Sequence, residues 1–231
     1  MAQKIVILTG AGISAESGLG TFRDEDGLWT KYDLEEVATP QGFARNPRFV
    51  HEFYNARRAN CRGAAPNAAH EALALLQREF EGETVIVTQN VDDLHERGGA
   101  GDVVHMHGEL MRALCGACGH RWEAPGEMAV EDQCPACGRA ATRPDVVWFG
   151  EIPYHMDAIL AHLAGADLFA AIGTSGEVYP AAGFVELAAG SGAHTVELNL
   201  APSSVVSAFG ETRFGPATEI VPRWVAELLK R

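Results

Sequence analysis

Lys4-Ile5-Val6-Ile7-Leu8-Thr9 runs without a break into Gly10-Ala11-Gly12-Ile13-Ser14-Ala15-Glu16-Ser17-Gly18. An apolar run that empties into closely spaced glycines predicts a buried strand and a loop. α/β folds use that arrangement to bring backbone N–H groups up to a pyrophosphate. The stretch therefore predicts a dinucleotide ligand before any catalytic residue is identified. Its spacing departs from the dehydrogenase fingerprint, G-x-G-x-x-G with an acidic residue about 20 positions on. The third glycine waits until Gly18, and Thr30 to Val37 carries no strand pattern. The next strand pattern is Thr84 to Thr88, so something is inserted between the first two strands. For the glycines alone, a tight turn with no ligand is the alternative.

Outward from this loop, strand and helix patterns alternate. Helices are predicted near Pro47 to Ala59 and Ala68 to Phe80, the second with Leu73, Leu76 and Phe80 at helical spacing. A short strand follows at Asp102 to His105, an extended segment at Val146 to Phe149 and a helix at Tyr154 to Leu163. The strand Leu168 to Ile172 ends in Gly173-Thr174-Ser175-Gly176. A helix near Ala181 to Ala189, a strand Thr195 to Leu198 and a closing helix Arg223 to Leu229 complete the chain. The pattern predicts an α/β fold, a Rossmann-like and mostly parallel sheet with helices on both faces. Ligands of such sheets sit outside the carboxyl ends of the strands. Gly10 to Gly18, Gln89-Asn90-Val91-Asp92, Gly173-Thr174-Ser175 and Asn199-Leu200 all fall there, and a shared ligand accounts for them better than separate caps.

The 231 residues, 47% of them hydrophobic, suffice for one large domain and a small satellite. Against 31 acidic residues stand 18 basic ones, a net charge of −13, which argues against a nucleic-acid footprint. The first apolar run is too short for a signal peptide and no run is long enough for a membrane helix, so a cytoplasmic location is expected. The oligomeric state is not legible, and a monomer is the expectation.

Cys115-x2-Cys118 and Cys134-x2-Cys137, with fifteen residues between the pairs, have zinc-ribbon spacing. Two such knuckles complete a tetrahedral shell with no position left for substrate, so the zinc is expected to be structural. Unmetallated or redox-active pairs are the alternative. Cys61 is left over as an inert thiol near a helix end. His105-Met106-His107-Gly108 follows the short strand. Two histidines one residue apart in extended chain face the same way, so a second metal site is conceivable, yet no third ligand sits at suitable spacing.

Taken together, the glycine loop with Phe22-Arg23, Gln89-Asn90-Val91-Asp92, His107-Gly108, the four cysteines, Phe149-Gly150-Glu151 and Gly173-Thr174-Ser175 occur in the order found in sirtuins. From Ile5 to the final helix the chain resembles a bacterial sirtuin, an NAD-dependent protein-lysine deacylase. The resemblance implies a single catalytic domain. Its large NAD-binding lobe would be built from about 1–30, 82–108 and 144–231. Its small lobe would come from a helical insertion, 31–81, and a zinc ribbon, 109–143.

The resemblance also implies roles. NAD, consumed as co-substrate, would be held by Gly10, Ala11, Gly12, Ala15, Glu16, Thr21, Phe22, Arg23 and Trp29 in the first loop. Further contacts would come from Gln89, Asn90, Val91 and Asp92, and from Gly173, Thr174, Ser175, Asn199, Leu200, Ala201 and Ala217. His107 is the implied catalytic base and Asn90 its partner at the ribose. Val147 to Glu151, with Val147, Phe149, Gly150 and Glu151 as contacts, resembles the strand that pairs with an acyl-lysine peptide. Gly176 to Tyr179, with Gly176 and Val178, would form the other half of that clamp. In the implied chemistry the acyl oxygen attacks the nicotinamide ribose. Nicotinamide leaves and an alkylimidate forms, the histidine takes a proton from a ribose hydroxyl that attacks the imidate carbon, and water then releases lysine and O-acyl-ADP-ribose.

Tyr54 and Arg57 sit three apart in the first predicted helix, on one face, where a phenol and a guanidinium can grip a carboxylate. The pair resembles the desuccinylase branch, which implies removal of succinyl, malonyl or glutaryl groups as well as acetyl. Two departures stand out. Gly20 replaces a larger residue, and Ala201 replaces the acidic residue common after Asn-Leu. The alternatives are mono-ADP-ribosyl transfer, a dehydrogenase with a structural zinc, and a non-catalytic zinc-ribbon module.

Overall fold

The computed structural model of the protein describes residues 3–20 and 32–230. Thr21, Phe22, Arg23 and Trp29, expected at the cofactor, lie outside the described residues. β1 (Lys4–Thr9) leads into two short 3₁₀ turns. Then come α1 (Leu34–Val37), α2 (Pro40–Arg45), α3 (Pro47–Gly63) and α4 (Ala68–Glu79). β2 (Glu83–Thr88), α5 (Leu94–Arg97) and β3 (Val103–His105) precede a group of three strands, β4 (Gly108–Cys115), β5 (Arg121–Glu123) and β6 (Thr142–Val146). α6 (Met156–Ala164), β7 (Leu168–Ile172), α7 (Phe184–Gly190), β8 (His194–Asn199), β9 (Glu211–Phe214) and α8 (Ala217–Leu228) finish the chain.

Six strands form one sheet in the order β3-β2-β1-β7-β8-β9, with every pairing parallel. The period-two alternation of side chains decides what each face buries. Ile5 and Ile7 of β1 join Ala170 and Ile172 of β7 in a core with Leu73 and Leu76 of α4 and Val221, Trp224 and Val225 of α8. Val6 and Leu8 join Phe169 and Ala171 on the other face, under Ile159 and Leu163 of α6 and Phe184 and Val185 of α7. Each fully buried side chain of this size is worth roughly 1.5–3 kcal/mol, which makes a one-residue slip of β1 prohibitive.

The long insertion after β1 folds against a second, antiparallel sheet in the order β5-β4-β6. Val50, Phe53, Tyr54 and Cys61 of α3 pack there on Leu110, Val146 and Trp148. Asn67 caps α4 in a capping box completed by His70 at the third helical position.

Three expectations need correction. The closing helix begins at Ala217, six residues earlier than Arg223, and carries Pro222 inside it. The proline interrupts the sequence pattern but costs only one hydrogen bond, to a carbonyl in the first turn, while the apolar face packs on α4. β9 was not expected, because an edge strand of sequence Glu-Thr-Arg-Phe has no apolar run. The extended segment Val146 to Phe149 is strand only as far as Val146, and Phe149-Gly150 is a turn.

Candidate active site

The carboxyl ends of β1, β2, β7 and β8 open into one cleft of about 840 Å³ that continues between α3 and the segment after β6. At its base the two glycine loops meet face to face. Gly10 N–H donates to Ile172 O at 2.9 Å and Gly12 N–H to Gly173 O at 2.8 Å. A Cβ on Gly12 would lie 2.7 Å from the Gly173 Cα, and Gly173 itself has φ +62. These glycines therefore serve first to let β1 and β7 close against each other, with their N–H groups spent inside the protein. Two 3₁₀ turns follow, Ala11–Ile13 and Ala15–Ser17, in place of the helix a dinucleotide fingerprint would start. Glu16 reaches across the fold, accepting from Thr218 N–H at 3.0 Å and Thr218 Oγ1 at 2.7 Å, so its carboxylate caps α8.

Asn90 and Asp92 are buried and meet at one hydroxyl that sequence reasoning left without a role. Ser14 Oγ donates to Asp92 Oδ2 at 3.1 Å and accepts from Asn90 Nδ2 at 3.2 Å and from His70 Nε2 at 3.3 Å, which uses its full capacity. His70 Nδ1 in turn accepts from the Asn67 N–H, so the proton sits on Nε2. Burial pushes His70 down to about 4, and it stays neutral. Below, Asn90 N–H donates to Thr88 Oγ1 at 3.0 Å, and Thr88, Thr9 and His95 Nε2 form a buried chain with links of 2.8 and 2.9 Å. Burial raises the Asp92 pKa, against the Leu94 N–H and the Ser14 hydroxyl that favour its charge. A polar side chain at the N3 position of a capping box was the one sequence signal for His70.

His107 lines the same cleft. Its Nδ1 lies 2.9 Å from the Gln89 carbonyl, which only accepts, so Nδ1 carries the proton and Nε2 keeps its lone pair. Burial lowers its pKa. The pair His105 and His107 does not share a face, because the chain turns at Met106-His107. His105 points away to Glu96, and no second metal cluster involving these histidines exists among the described residues.

Gly10, Ala11, Gly12, Ala15, Glu16, Gln89, Asn90, Val91 and Asp92 all line the cleft, as do Gly173, Thr174, Ser175, Asn199, Leu200, Ala201 and Ala217. Asn199 Nδ2 ties β8 to β7 through the Thr174 carbonyl at 2.7 Å. On the other wall Tyr54, Arg57, Val147, Phe149, Gly150, Glu151 and Val178 line the cleft, while Gly176 does not. The Gly176 carbonyl instead accepts from Ser204 Oγ at 2.7 Å. Val147 N–H is bonded to His107 O, Phe149 N–H to Ala38 O and Trp148 N–H to the Glu151 carboxylate. The segment is thus a pinned turn rather than a strand with free N–H groups.

Tyr54 is buried, and its phenol oxygen accepts from Trp148 Nε1 at 2.9 Å. Arg57 lies over the Tyr54 ring, its Cζ 5.6 Å from the centroid. Burial lowers the Arg57 pKa, and Tyr54 and then Asp92 push it back up. Cys61 also lines the cleft, but burial drives its thiol up to about 12, which leaves it inert as a nucleophile.

The Sγ atoms of Cys115, Cys118, Cys134 and Cys137 lie within 4.8 Å of one another. Cys115 and Cys137 are 3.7 Å apart and Cys118 and Cys134 3.8 Å. Tetrahedral zinc with bonds of about 2.3 Å sets its sulfurs about 3.8 Å apart, so these residues fit one zinc ion.

The Sir2 family model matches residues 10–180. The chain belongs to the Sir2 family. The NAD-dependent protein deacylase of Caulobacter vibrioides is 59% identical over 232 residues, covering 99% of this chain and 98% of that one. The NAD-dependent protein deacylase of Escherichia coli K12 is 54% identical over 230 residues, 98% of this chain and 82% of the other. Among solved Sir2 structures, a Sir2 homologue in complex with NAD superimposes with a TM-score of 0.91 at 37% identity, covering 99% and 90% of the two chains. A Sir2 protein bound to a myristoylated histone peptide gives 0.77 at 31% identity, covering 99% and 92%. The sirtuin fold, with its NAD cleft and zinc cluster, is the one the opening glycine loop and the four cysteines had implied.

Proposed function

We propose that this sirtuin removes acyl groups from protein lysines with consumption of NAD, and that its acyl pocket favours groups carrying a carboxylate. Deacylation rests on family membership and on relatives named for that activity over nearly the whole chain. The preference rests on one observation, the Trp148-Tyr54-Arg57 arrangement. The Tyr54 oxygen accepts from the Trp148 indole N–H, and the Arg57 guanidinium is hydrogen-bonded to the same phenol. Tyr54 and Arg57 line the cleft together, and a phenol and a guanidinium are two donors suited to one carboxylate.

NAD supplies the ribose carbon that receives the acyl oxygen, with nicotinamide as leaving group. Ser14, Asn90 and Asp92 form the rigid polar wall against which that sugar would be oriented. His107 Nε2, neutral and fixed by the Gln89 carbonyl, is placed to take a proton from a ribose hydroxyl. The acyl-lysine would pass between the Phe149-Gly150 turn and Val178. The zinc cluster, remote in role, would fix the small sheet whose strand β6 ends at Val146, two residues before Trp148. Four thiols arranged as metal ligands rather than disulfides suit a cytoplasmic enzyme, acting as a monomer on acyl-lysine proteins.

The test compares turnover of succinyl-lysine and acetyl-lysine peptides by the parent and by Arg57→Met. The reading expects the parent to handle succinyl at least as well as acetyl, and the variant to lose succinyl turnover by about tenfold or more while keeping acetyl turnover. An unchanged ratio removes Tyr54 and Arg57 from acyl selection.

A further inference from the structure

Two histidines of one short segment take hold of two successive carbonyls beneath the cleft. His107 Nδ1 meets the carbonyl of Gln89 at 2.9 Å, and His105 Nδ1 meets that of Asn90 at 3.4 Å. The other nitrogen of His105, Nε2, lies 2.7 Å from Glu96 Oε1. His105 does not line the cleft and is nearly buried. A carbonyl and a carboxylate both only accept, so both ring nitrogens must carry protons for both contacts to be hydrogen bonds. The arrangement is that of an imidazolium.

We propose that His105 is a positioning residue for the NAD reaction: doubly protonated, it bridges Glu96 to the main-chain carbonyl of Asn90 and fixes the loop that presents the Asn90 side chain to the sugar. The inference rests on the proposed function for its ligand and on the geometry for its residues. Asn90 is then held at three points, its N–H by Thr88, its side chain by Ser14 and its carbonyl by His105. The first two are neutral hydroxyls, and His105 is the contact that titrates.

The charged and titratable groups facing His105 are Glu96 and His95 on α5, Glu109 on β4 and Asp92 in the loop after β2. Three of these are carboxyl groups, and burial keeps His95 neutral at physiological pH. Burial opposes a charge on His105, but the Glu96 contact and the more distant Glu109 outweigh it and raise its pKa above 6.5. When the proton is lost, the close carboxylate keeps the remaining N–H on Nε2. A lone pair of Nδ1 then faces the Asn90 carbonyl, and the contact changes from attraction to repulsion. NAD handling should therefore weaken on the alkaline side, at a pH set by Glu96.

The experiment measures kcat/KM for NAD between about pH 5.5 and 9, with saturating acetyl-lysine peptide, in the parent, Glu96→Gln and His105→Gln. Glu96→Gln is expected to move the alkaline midpoint down by about one pH unit, leaving the acid plateau within about twofold of the parent. His105→Gln is expected to abolish that midpoint and raise KM for NAD about tenfold more than it changes kcat. A Glu96→Gln profile that superimposes on the parent overturns the proposal. Nitrogen-15 spectra of the parent imidazoles supply a readout without turnover, and without needing His105→Gln to fold. Two protonated nitrogens on His105 at about pH 7 support the bridge, and a neutral tautomer there contradicts it. A parent that releases no nicotinamide contradicts the proposed function instead, and the imidazole spectra still decide on His105.

Discussion

The indole N–H of Trp148 donates to the phenol oxygen of Tyr54 at 2.9 Å, joining the segment after β6 to the middle of α3. The contact holds the Tyr54 phenol where it lines the cleft beside Arg57. Trp148→Phe keeps the aromatic packing against Phe43 and Arg143 but removes the donor. It should raise KM for a succinyl peptide about fivefold, the cost of roughly 1 kcal/mol of hydrogen bonding, and leave acetyl turnover within about twofold. Equal effects on both peptides would show that the contact serves stability alone.

As the proposed base, His107 should give the acid limb of the activity profile. Burial lowers its pKa below 6.5, so the neutral base is fully present at pH 7 and activity is lost only as pH falls through that lowered value. His107→Gln should reduce kcat by about 10²–10⁴-fold with KM for NAD changed little. Rate measurements on a variant shown by calorimetry to be folded check this. Retention of more than about a tenth of the parent rate would assign the base elsewhere.

The four-cysteine cluster predicts one tightly held zinc per chain. Cys134→Ser leaves three thiolates to hold the zinc, and chelation removes the zinc itself. Either change should unfold the β5-β4-β6 sheet, lower Tm and abolish peptide turnover, since β6 carries the chain to Trp148 and the Phe149 turn. Metal quantification beside a melting curve reads both effects. A chelated protein with unchanged Tm would contradict a structural role.

Acid should destabilise the large sheet through His70 and His95, buried and pushed down to about 4 and about 3. Both are lowered from 6.5, so the unfolded chain binds protons first. Their contribution is complete above about pH 6.5, and is lost as pH falls toward 4 and then 3. The loss from His70 alone is on the order of 3 kcal/mol. Denaturant melts between about pH 7 and 4 check it. In His70→Gln the drop across that range should be smaller by about that amount, and an identical drop would place the proton uptake on other groups.

How much was legible in advance follows from what each residue advertises. Glycines at strand ends and cysteines at knuckle spacing announce themselves, because few other residues satisfy those backbones and that metal. Ser14, Thr88 and His70 do not: a buried hydroxyl or imidazole looks like any polar residue until the fold brings it to Asn90 and Asp92. Glu16 was legible as a residue of the loop, but its contact with Thr218 spans 202 positions. Pro222 hid the first half of α8 because local propensity speaks against helix there, whereas tertiary packing on α4 decides for it. The Val147 to Glu151 segment was expected as a peptide-pairing strand from the family resemblance. Side-chain and main-chain acceptors on Glu151, His107 and Ala38 turn it instead.

The most direct measurement is mass spectrometry of a single reaction containing NAD and equal amounts of succinyl-lysine and acetyl-lysine peptide. The account predicts nicotinamide, free lysine peptide and O-acyl-ADP-ribose, with the O-succinyl product at least as abundant as the O-acetyl one. Acyl peptides left intact while ADP-ribose is added to protein would contradict deacylation, and O-acetyl-ADP-ribose alone would contradict the carboxylate-binding pocket.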